Sequence, residues 1–291
     1  MNFFFESLGF EFLHFFISCL PIQWIIPFGK SMGKLYCFFQ PLRKKIAIEN
    51  LRNAFPEKEF SEIEFIANQV FENVGITFIE FLWSNNFSRE QIMKFVQLEN
   101  VPALQKIISE NNGAVFVSGH FGNWELMALA IGIFIDKQLS IVVKKQRNEF
   151  VDKKISLQRS MFGNKLIPME NAIKESLTEL NKGNVIALLS DQSAPKESVY
   201  VNFFGRNVAT FQGPAAFALK MKKPLVIFYC IRTCEGNYDL SWEQIDSSDL
   251  QNYNEDNVKE LTQRHTKKLE EMIRKHPEQW LWTHRRWKNV Q

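Results

Sequence analysis

The stretch at positions 113–125, G-A-V-F-V-S-G-H-F-G-N-W-E, constrains the fold more than any other part of the chain. Its apolar run, 114–117, is bounded by glycine on one side and Ser118-Gly119 on the other. A short apolar run between turn residues reads as a strand buried on both faces. A helical pattern opens near Trp124. Strand, turn and helix in this order carry His120 to the carboxyl end of a sheet, where open α/β folds bind their ligands. Histidine is the side chain best suited to taking a proton near neutral pH.

Glu125 follows His120 by five positions. On one helix the two would lie about 140° apart, at roughly 100° per residue. His120 is therefore expected in the turn or at the first helical residue, with Glu125 reaching back from the helix to fix its tautomer. Taken alone, H-x-x-x-x-E equally describes a helix-capping histidine and an unrelated solvated glutamate. The setting of Ser118, Gly119, Gly122, Asn123 and Trp124 favours the functional reading. The two glycines are expected to leave room for a substrate near the backbone.

The same alternation continues downstream. Strands are expected at 140–143, 165–168, 185–189 and 225–231, and helices at 124–135, 150–162, 172–182 and 214–222. This order predicts an α/β fold with a mostly parallel central sheet flanked by helices. Segments 199–204 and 238–245 read as added antiparallel strands, and 255–275 as a charged terminal helix. Upstream, 46–84 reads as helical, with Pro56 in a turn and Glu59 opening a long amphipathic helix.

Residues 1–28 form a separate, apolar element. Seven phenylalanines precede Ser18, interrupted by Glu6, Glu11 and His14. The apolar span 12–20 is shorter than the roughly 20 residues a bilayer crossing takes. Neither a basic leader nor a small-residue cleavage site accompanies it, so it does not read as a signal peptide. Its apolar density exceeds one helix face, which favours a helix in the membrane interface over one docked on the domain. Lys30, Lys34, Arg43, Lys44 and Lys45 then suit an anionic cytoplasmic leaflet. The expected organisation is a membrane-associating helix at 1–28 and one catalytic domain at 29–291.

Composition narrows the remaining classes. A net charge of +3 does not point to a nucleic-acid binder, whereas 28 phenylalanines suit an apolar pocket or a lipid-facing surface on top of an aromatic core. The four cysteines form no C-x-x-C pair, and the five histidines lack zinc spacing. No P-loop, G-x-G-x-x-G or G-x-S-x-G is present. No cofactor and no metal are expected.

Four further motifs stand in order around the His120 turn: N-L-R-N-A-F-P-E at 50–57, Asp191-Gln192 at a strand end, F-F-G-R-N-V-A-T at 203–210, and P-E-Q-W-L-W-T-H-R-R-W-K at 277–288. In this order they resemble the late acyltransferases of lipid A biosynthesis, the lauroyl and myristoyl transferases, within the lysophospholipid-acyltransferase-like superfamily. The resemblance spans almost the whole chain. It implies transfer of a fatty acyl group from acyl carrier protein to a glycolipid hydroxyl at the cytoplasmic face of an inner membrane.

By position, the resemblance makes His120 the general base, Glu125 its orienting carboxylate and Arg159 the oxyanion stabiliser, with backbone N–H groups as an alternative or a help. It makes Lys144, Asn148, Asp191 and Gln192 substrate-binding residues. Lys144 replaces the family's usual arginine in a V-K-K turn, and a lysine grips phosphate as a point charge only. Arg285 and Arg286, set between Trp282 and Trp287, either bind an anionic group at the interface or belong to a tail locked onto the core. The plain alternatives are Arg159 as a solvated helix residue and Asp191 as a turn former. The same chemistry on another lipid acceptor (an aminolipid, a lysophospholipid or a pigment), a thioester hydrolase, and a lipid-binding protein without catalysis are the competing functions.

Overall fold

The computed structural model describes residues 2–250 and 252–291. The apolar N-terminus breaks into two helices, α1 (Asn2–Ser18) and α2 (Ile22–Phe39), separated at Pro21. Position 28, the expected boundary, lies inside α2, and Met1 lies outside the described residues. Helices α3 (Pro41–Ala54) and α4 (Phe60–Trp83) follow, joined by the turn that contains Pro56. Glu59 and Glu62 close a capping box at the start of α4.

Small residues let α2 lie directly on α4. A side chain at Gly33 would meet the Phe71 carbonyl at 2.2 Å, and one at Gly75 would meet the Gly29 carbonyl at 2.3 Å. The two backbones are therefore in contact. Outward from this packed face, large apolar side chains face solvent: Phe12 is 72% exposed, Phe15 70%, Trp24 58% and Phe38 78%. Among the described residues, no helix is long and apolar enough to cross a membrane.

The central sheet begins in a span for which the sequence carried no expected element. Here α5 (Arg89–Phe95), the short β1 (Val96–Leu98) and α6 (Val101–Glu110) fold. Then come β2 (Ala114–Ser118), α7 (Trp124–Phe134), β3 (Leu139–Val143), α8 (Glu149–Arg159), β4 (Lys165–Pro168), α9 (Ala172–Asn181) and β5 (Val185–Leu189). A hairpin follows, β6 (Val199–Phe203) and β7 (Arg206–Thr210). The chain continues with α10 (Gly213–Met221), β8 (Leu225–Arg232), β9 (Tyr238–Ile245) and α11 (Glu255–Lys275).

Seven strands form one sheet in the order β1-β9-β8-β2-β5-β3-β4. β8, β2, β5, β3 and β4 run parallel, β9 runs antiparallel to β8, and β1 is parallel to β9. β2 is buried on both faces: Val115 and Val117 join the core under α4, α10 and α11, while Ala114 and Phe116 join the core under α5, α6 and α7. That is why its sequence is a continuous apolar run. β6 and β7 form their own two-stranded sheet, and β7 has no counterpart in the sequence expectation.

The glycine contacts of the N-terminal pair carry a test. A β-branched side chain in that seam must push the backbones apart. Gly33→Val is expected to cost about 1–3 kcal/mol, as overpacking does, read as a lower midpoint in urea denaturation. Gly9→Val, where a new Cβ meets nothing within 4 Å, is the matched control and is expected to leave the midpoint in place.

Candidate active site

β2 and β5 are adjacent and parallel, with Ser118 in register with Leu189. Their carboxyl ends therefore open side by side, and the turns that follow carry His120 and Asp191. A side chain at Gly119 would stand 3.0 Å from the Asp191 carboxylate, so glycine is what lets the two turns approach. Asp191 is 5% exposed. One of its oxygens accepts from the His120 backbone N–H at 2.7 Å and from the Trp280 indole N–H at 2.8 Å. The other faces the His120 Nδ1 at 2.8 Å.

This contact assigns the tautomer: Nδ1 carries the proton toward the carboxylate, and Nε2 keeps its lone pair. Burial pulls the imidazole pKa down. The Asp191 charge and hydrogen bond, helped by Glu125, outweigh that and hold it above its ordinary value. For Asp191, burial pushes upward, and the His120 and Trp280 contacts prevail and hold its pKa below the usual carboxylate value. The Gln192 side-chain amide stands 3.4 Å from Nε2, and the Trp124 ring packs edge-on against the imidazole at 5.1 Å. A neutral imidazole so held can take a proton from a hydroxyl or a water.

The expected contact between Glu125 and His120 is not the one that forms. Glu125 sits in the first turn of α7 and faces α8. There it accepts from Arg159 Nε at 2.8 Å and Nη2 at 2.6 Å, and from the Trp124 indole at 3.2 Å. This bidentate geometry commits both oxygens to the guanidinium. Glu125 still acts on the imidazole through its charge. The expectation for the glycines also fails. Gly119 makes way for Asp191, and Gly122, at φ +55°, lies so close to the Cys230 carbonyl that a Cβ would fall 1.8 Å from it. Protein, not substrate, occupies both spaces. The backbone N–H groups of His120, Phe121 and Gly122 are taken by Asp191, Gly119 and Gln279. None of the three is left to receive an oxyanion.

A buried polar network that the sequence did not reveal supports the turn. Asn123 caps α7 through the Leu126 N–H and donates to Glu80 at 2.9 Å. Glu80 also receives Arg232 at 3.2 Å and the Tyr238 hydroxyl. The Glu80 and Arg232 side chains are only 8% and 7% exposed. Thr77 bonds the Gly122 carbonyl at 3.1 Å, and Gln279 pairs with both backbone groups of Arg232. A lone glutamate inside the apolar run 78–82 of α4 was the available signal.

The C-terminal tail closes the other side. Phe121 bridges Trp280, and the Leu281 N–H bonds the His120 carbonyl at 3.0 Å. Asn50, from the 50–57 motif, grips the Trp282 and His284 carbonyls, each at 2.7 Å. The 203–210 motif is the hairpin, turned at Phe204 and Gly205, both with positive φ. Its Phe203 and Phe204 pack on Trp280, Trp282 and Trp287. Arg286 is buried beneath them, bonded to the Ala209 carbonyl and the Thr210 hydroxyl at 2.7 Å each. It locks the tail onto β7.

Three other expected substrate contacts lie elsewhere. Asn148 caps α8 through the Phe150 and Val151 N–H groups and meets Glu6 and Ser7 of α1. Lys144 stands exposed beyond β3, outside the groove described next, and Arg285 is exposed in the tail. The groove, about 400 Å³, is lined by Phe10, Tyr36, Phe78, Phe81, Trp124 and Ile155, together with Glu125, Arg159, Arg43, Thr283 and His284. In the sequence Arg43 reads as a charge for the membrane surface rather than for a groove, and neither His284 nor the aromatic wall is singled out, because α1, α2, α3, α4, α8 and the tail supply them from far apart.

An imidazole held by a buried carboxylate thus stands beside an apolar groove. Residues 3–289 match the bacterial lipid A biosynthesis acyltransferase family, and the chain belongs to it. It is an acyltransferase. It is similar to the lipid A biosynthesis lauroyltransferase of Escherichia coli (strain K12), 26% identical over 272 residues that cover 92% of this chain and 87% of that one. The palmitoleoyltransferase of the same organism is 23% identical over 271 residues, 92% of this chain and 86% of its own. The lipid A biosynthesis acyltransferase of Haemophilus influenzae is 24% identical over 269 residues, 88% and 81% of the two chains.

The sign of the Asp191 effect is testable without turnover. Its charge holds the His120 pKa up, so Asp191→Asn is expected to move the His120 titration to lower pH than in wild type. NMR titration of the His120 ring checks this, and an unchanged or higher midpoint contradicts the assignment.

Proposed function

We propose that this acyltransferase moves a fatty acyl chain from an acyl carrier protein thioester to a hydroxyl of a lipid A precursor, at the cytoplasmic surface of an inner membrane. The observation that carries the reading is the His120–Asp191 pair opening beside an apolar groove. His120 Nε2 takes the proton of the acceptor hydroxyl as its oxygen attacks the thioester carbonyl. Asp191 holds the ring and stabilises the imidazolium that forms. Collapse of the tetrahedral intermediate expels the carrier's thiolate, which the imidazolium reprotonates. No acyl-enzyme is required.

Arg159 is the proposed oxyanion donor. Glu125 occupies its Nε and one Nη2 hydrogen, which leaves Nη1 and the other Nη2 hydrogen to reach into the groove. Glu125 thus acts by aiming Arg159, and Gln192 by steadying the group at Nε2. The acyl chain lies along Phe10, Phe78, Phe81 and Ile155. The exposed aromatics of α1 and α2 support a monotopic seat in the interface, since apolar area of that kind is what such helices bury in lipid. The names of the relatives support lipid A as the acceptor.

With one acyl carrier protein donor and one lipid A precursor, His120→Ala is expected to lose about a hundred- to ten-thousandfold in turnover. Glu125→Gln and Arg159→Gln are each expected to lose on the order of a hundred- to a thousandfold. Because the two act as one unit, the double variant is expected to be no worse than the single ones. Independent, multiplying losses would break that unit apart, and wild-type turnover in His120→Ala would remove the base.

Replacing Phe12, Phe15 and Phe38 together by serine is expected to shift the protein from anionic vesicles to the supernatant in sedimentation. Retention of the triple variant on the vesicles would contradict the interfacial seat.

A further inference from the structure

One wall of the groove carries a cation without a counter-ion. The first turn of α3 presents Arg43, Lys44 and Lys45. Lys44 pairs with Glu64 at 3.1 Å and Lys45 with Glu49 at 3.9 Å. The Arg43 Nη1 donates to the Thr283 carbonyl at 3.1 Å. Among the described residues, no carboxylate lies within ion-pair distance of it. A positive side chain in the first turn of a helix also opposes the helix dipole. The contacts within the chain therefore leave the Arg43 charge uncompensated at the groove, and most of its N–H donors unused.

His284 stands beside it. Asn50 grips the carbonyls of Trp282 and His284, so the tail cannot shift there. Its Nδ1 is buried without a partner. Burial, opposed by Asp191 but helped by His120, Arg43 and Arg286, holds its pKa below the ordinary value, so the ring is neutral near pH 7. The charges of His120 and Arg43 both act on the His284 ring, and Arg43 and His284 line the same groove. A guanidinium is suited to pairs of phosphate oxygens, and a neutral imidazole beside it adds one N–H donor.

We propose that Arg43 and His284 form a phosphate-ester subsite at the wall of the groove, which anchors a substrate whose reacting group lies at His120. The inference rests on the acyl-transfer reading above. The phosphate belongs either to the acceptor headgroup or to the pantetheine arm of the donor. Arg43 holds it as a fixed charge, and His284 turns its N–H toward the remaining oxygen. Arg43 is exposed and bonds the Thr283 carbonyl, so its replacement leaves the core intact.

Steady-state kinetics of wild type, Arg43→Gln, Arg43→Lys and His284→Gln test this in two arms. One compares a phosphorylated glycolipid acceptor with its enzymatically dephosphorylated form. The other compares acyl-phosphopantetheine with acyl-pantetheine. Wild type is expected to prefer the phosphorylated form in one arm, which identifies the source. Arg43→Gln is expected to raise the KM for that form roughly ten- to a hundredfold, the loss of one charge-assisted contact, and to erase the preference. Arg43→Lys restores part of it. If Arg43→Gln raises the KM of both forms alike, or neither arm shows a preference, the subsite is overturned. A reading without turnover separates this from the function itself: millimolar glucosamine 1-phosphate, and not glucosamine, is expected to shift the His284 ring resonances of wild type but not of Arg43→Gln. Absence of that shift overturns the subsite even in an active enzyme. Its presence in a protein that transfers no acyl group keeps the subsite and overturns the reaction.

Discussion

A buried carboxylate must have every lone pair answered, and Asp191 is the point at which this chain meets that demand. Leaving such a group unpaired costs far more than a hydrogen bond returns. Its three donors come from two regions of the chain: the backbone and ring of His120 after β2, and the indole of Trp280 in the tail. The anion therefore ties the ends of two adjacent strands to a segment some ninety positions later. The same contacts that satisfy it orient the imidazole. Structure and reactivity at His120 follow from one electrostatic requirement.

The tail can answer Asp191 only if it is itself held. Asn50 clamps its carbonyls from α3, and the hairpin motif packs two phenylalanines against its tryptophans. The tail then continues as an added edge, with Val290 bridging Val208. Motifs that lie far apart in the sequence are thus one assembly around the His120 turn. Beneath it, Glu80 and Arg232 form an ion pair withdrawn from solvent, with Asn123 and Tyr238 completing the hydrogen bonds. An ion pair of this kind gains little net stability. Its value lies in fixing where α7 begins, and so where Glu125 and Trp124 stand.

Glu125 and Arg159 belong to a different part of the same wall. Their bidentate pair joins α7 to α8, and α8 is in turn capped by Asn148 and touched by α1 through Lys154 and Glu11 at 2.7 Å. The apolar N-terminal helices are thus in contact with the rest of the fold. They contribute Phe10 and Tyr36 to the groove itself. The groove thus combines aromatic side chains with Arg43, Arg159 and Glu125 in one lining.

Local patterns made much of this legible. The apolar run 114–117, the alternation of strand and helix after it, and the capped start of α4 are set by short-range periodicity and steric preference, and they appear where the sequence places them. His120 in its turn was legible for the same reason. The sequence motifs also pointed to the family. Partner choice was not legible. Two carboxylates, Glu125 and Asp191, were both available to one imidazole. Spacing along the chain favoured the nearer, while strand order put the farther one at Nδ1 and left Glu125 to Arg159. Asn148 likewise looked like a ligand in sequence and stands as a helix cap, and Arg286, open between an anion site and a tail lock, bonds the hairpin from the tail. Arg43 read as a membrane-facing charge and His284 as one letter of the tail motif until α3 and the tail met at the groove. Propensity and patterning act over a few residues, so the sequence alone determined the elements and the turn that carries His120. Hydrogen-bond satisfaction in a buried site acts between distant segments, so only the tertiary structure decided which charges meet.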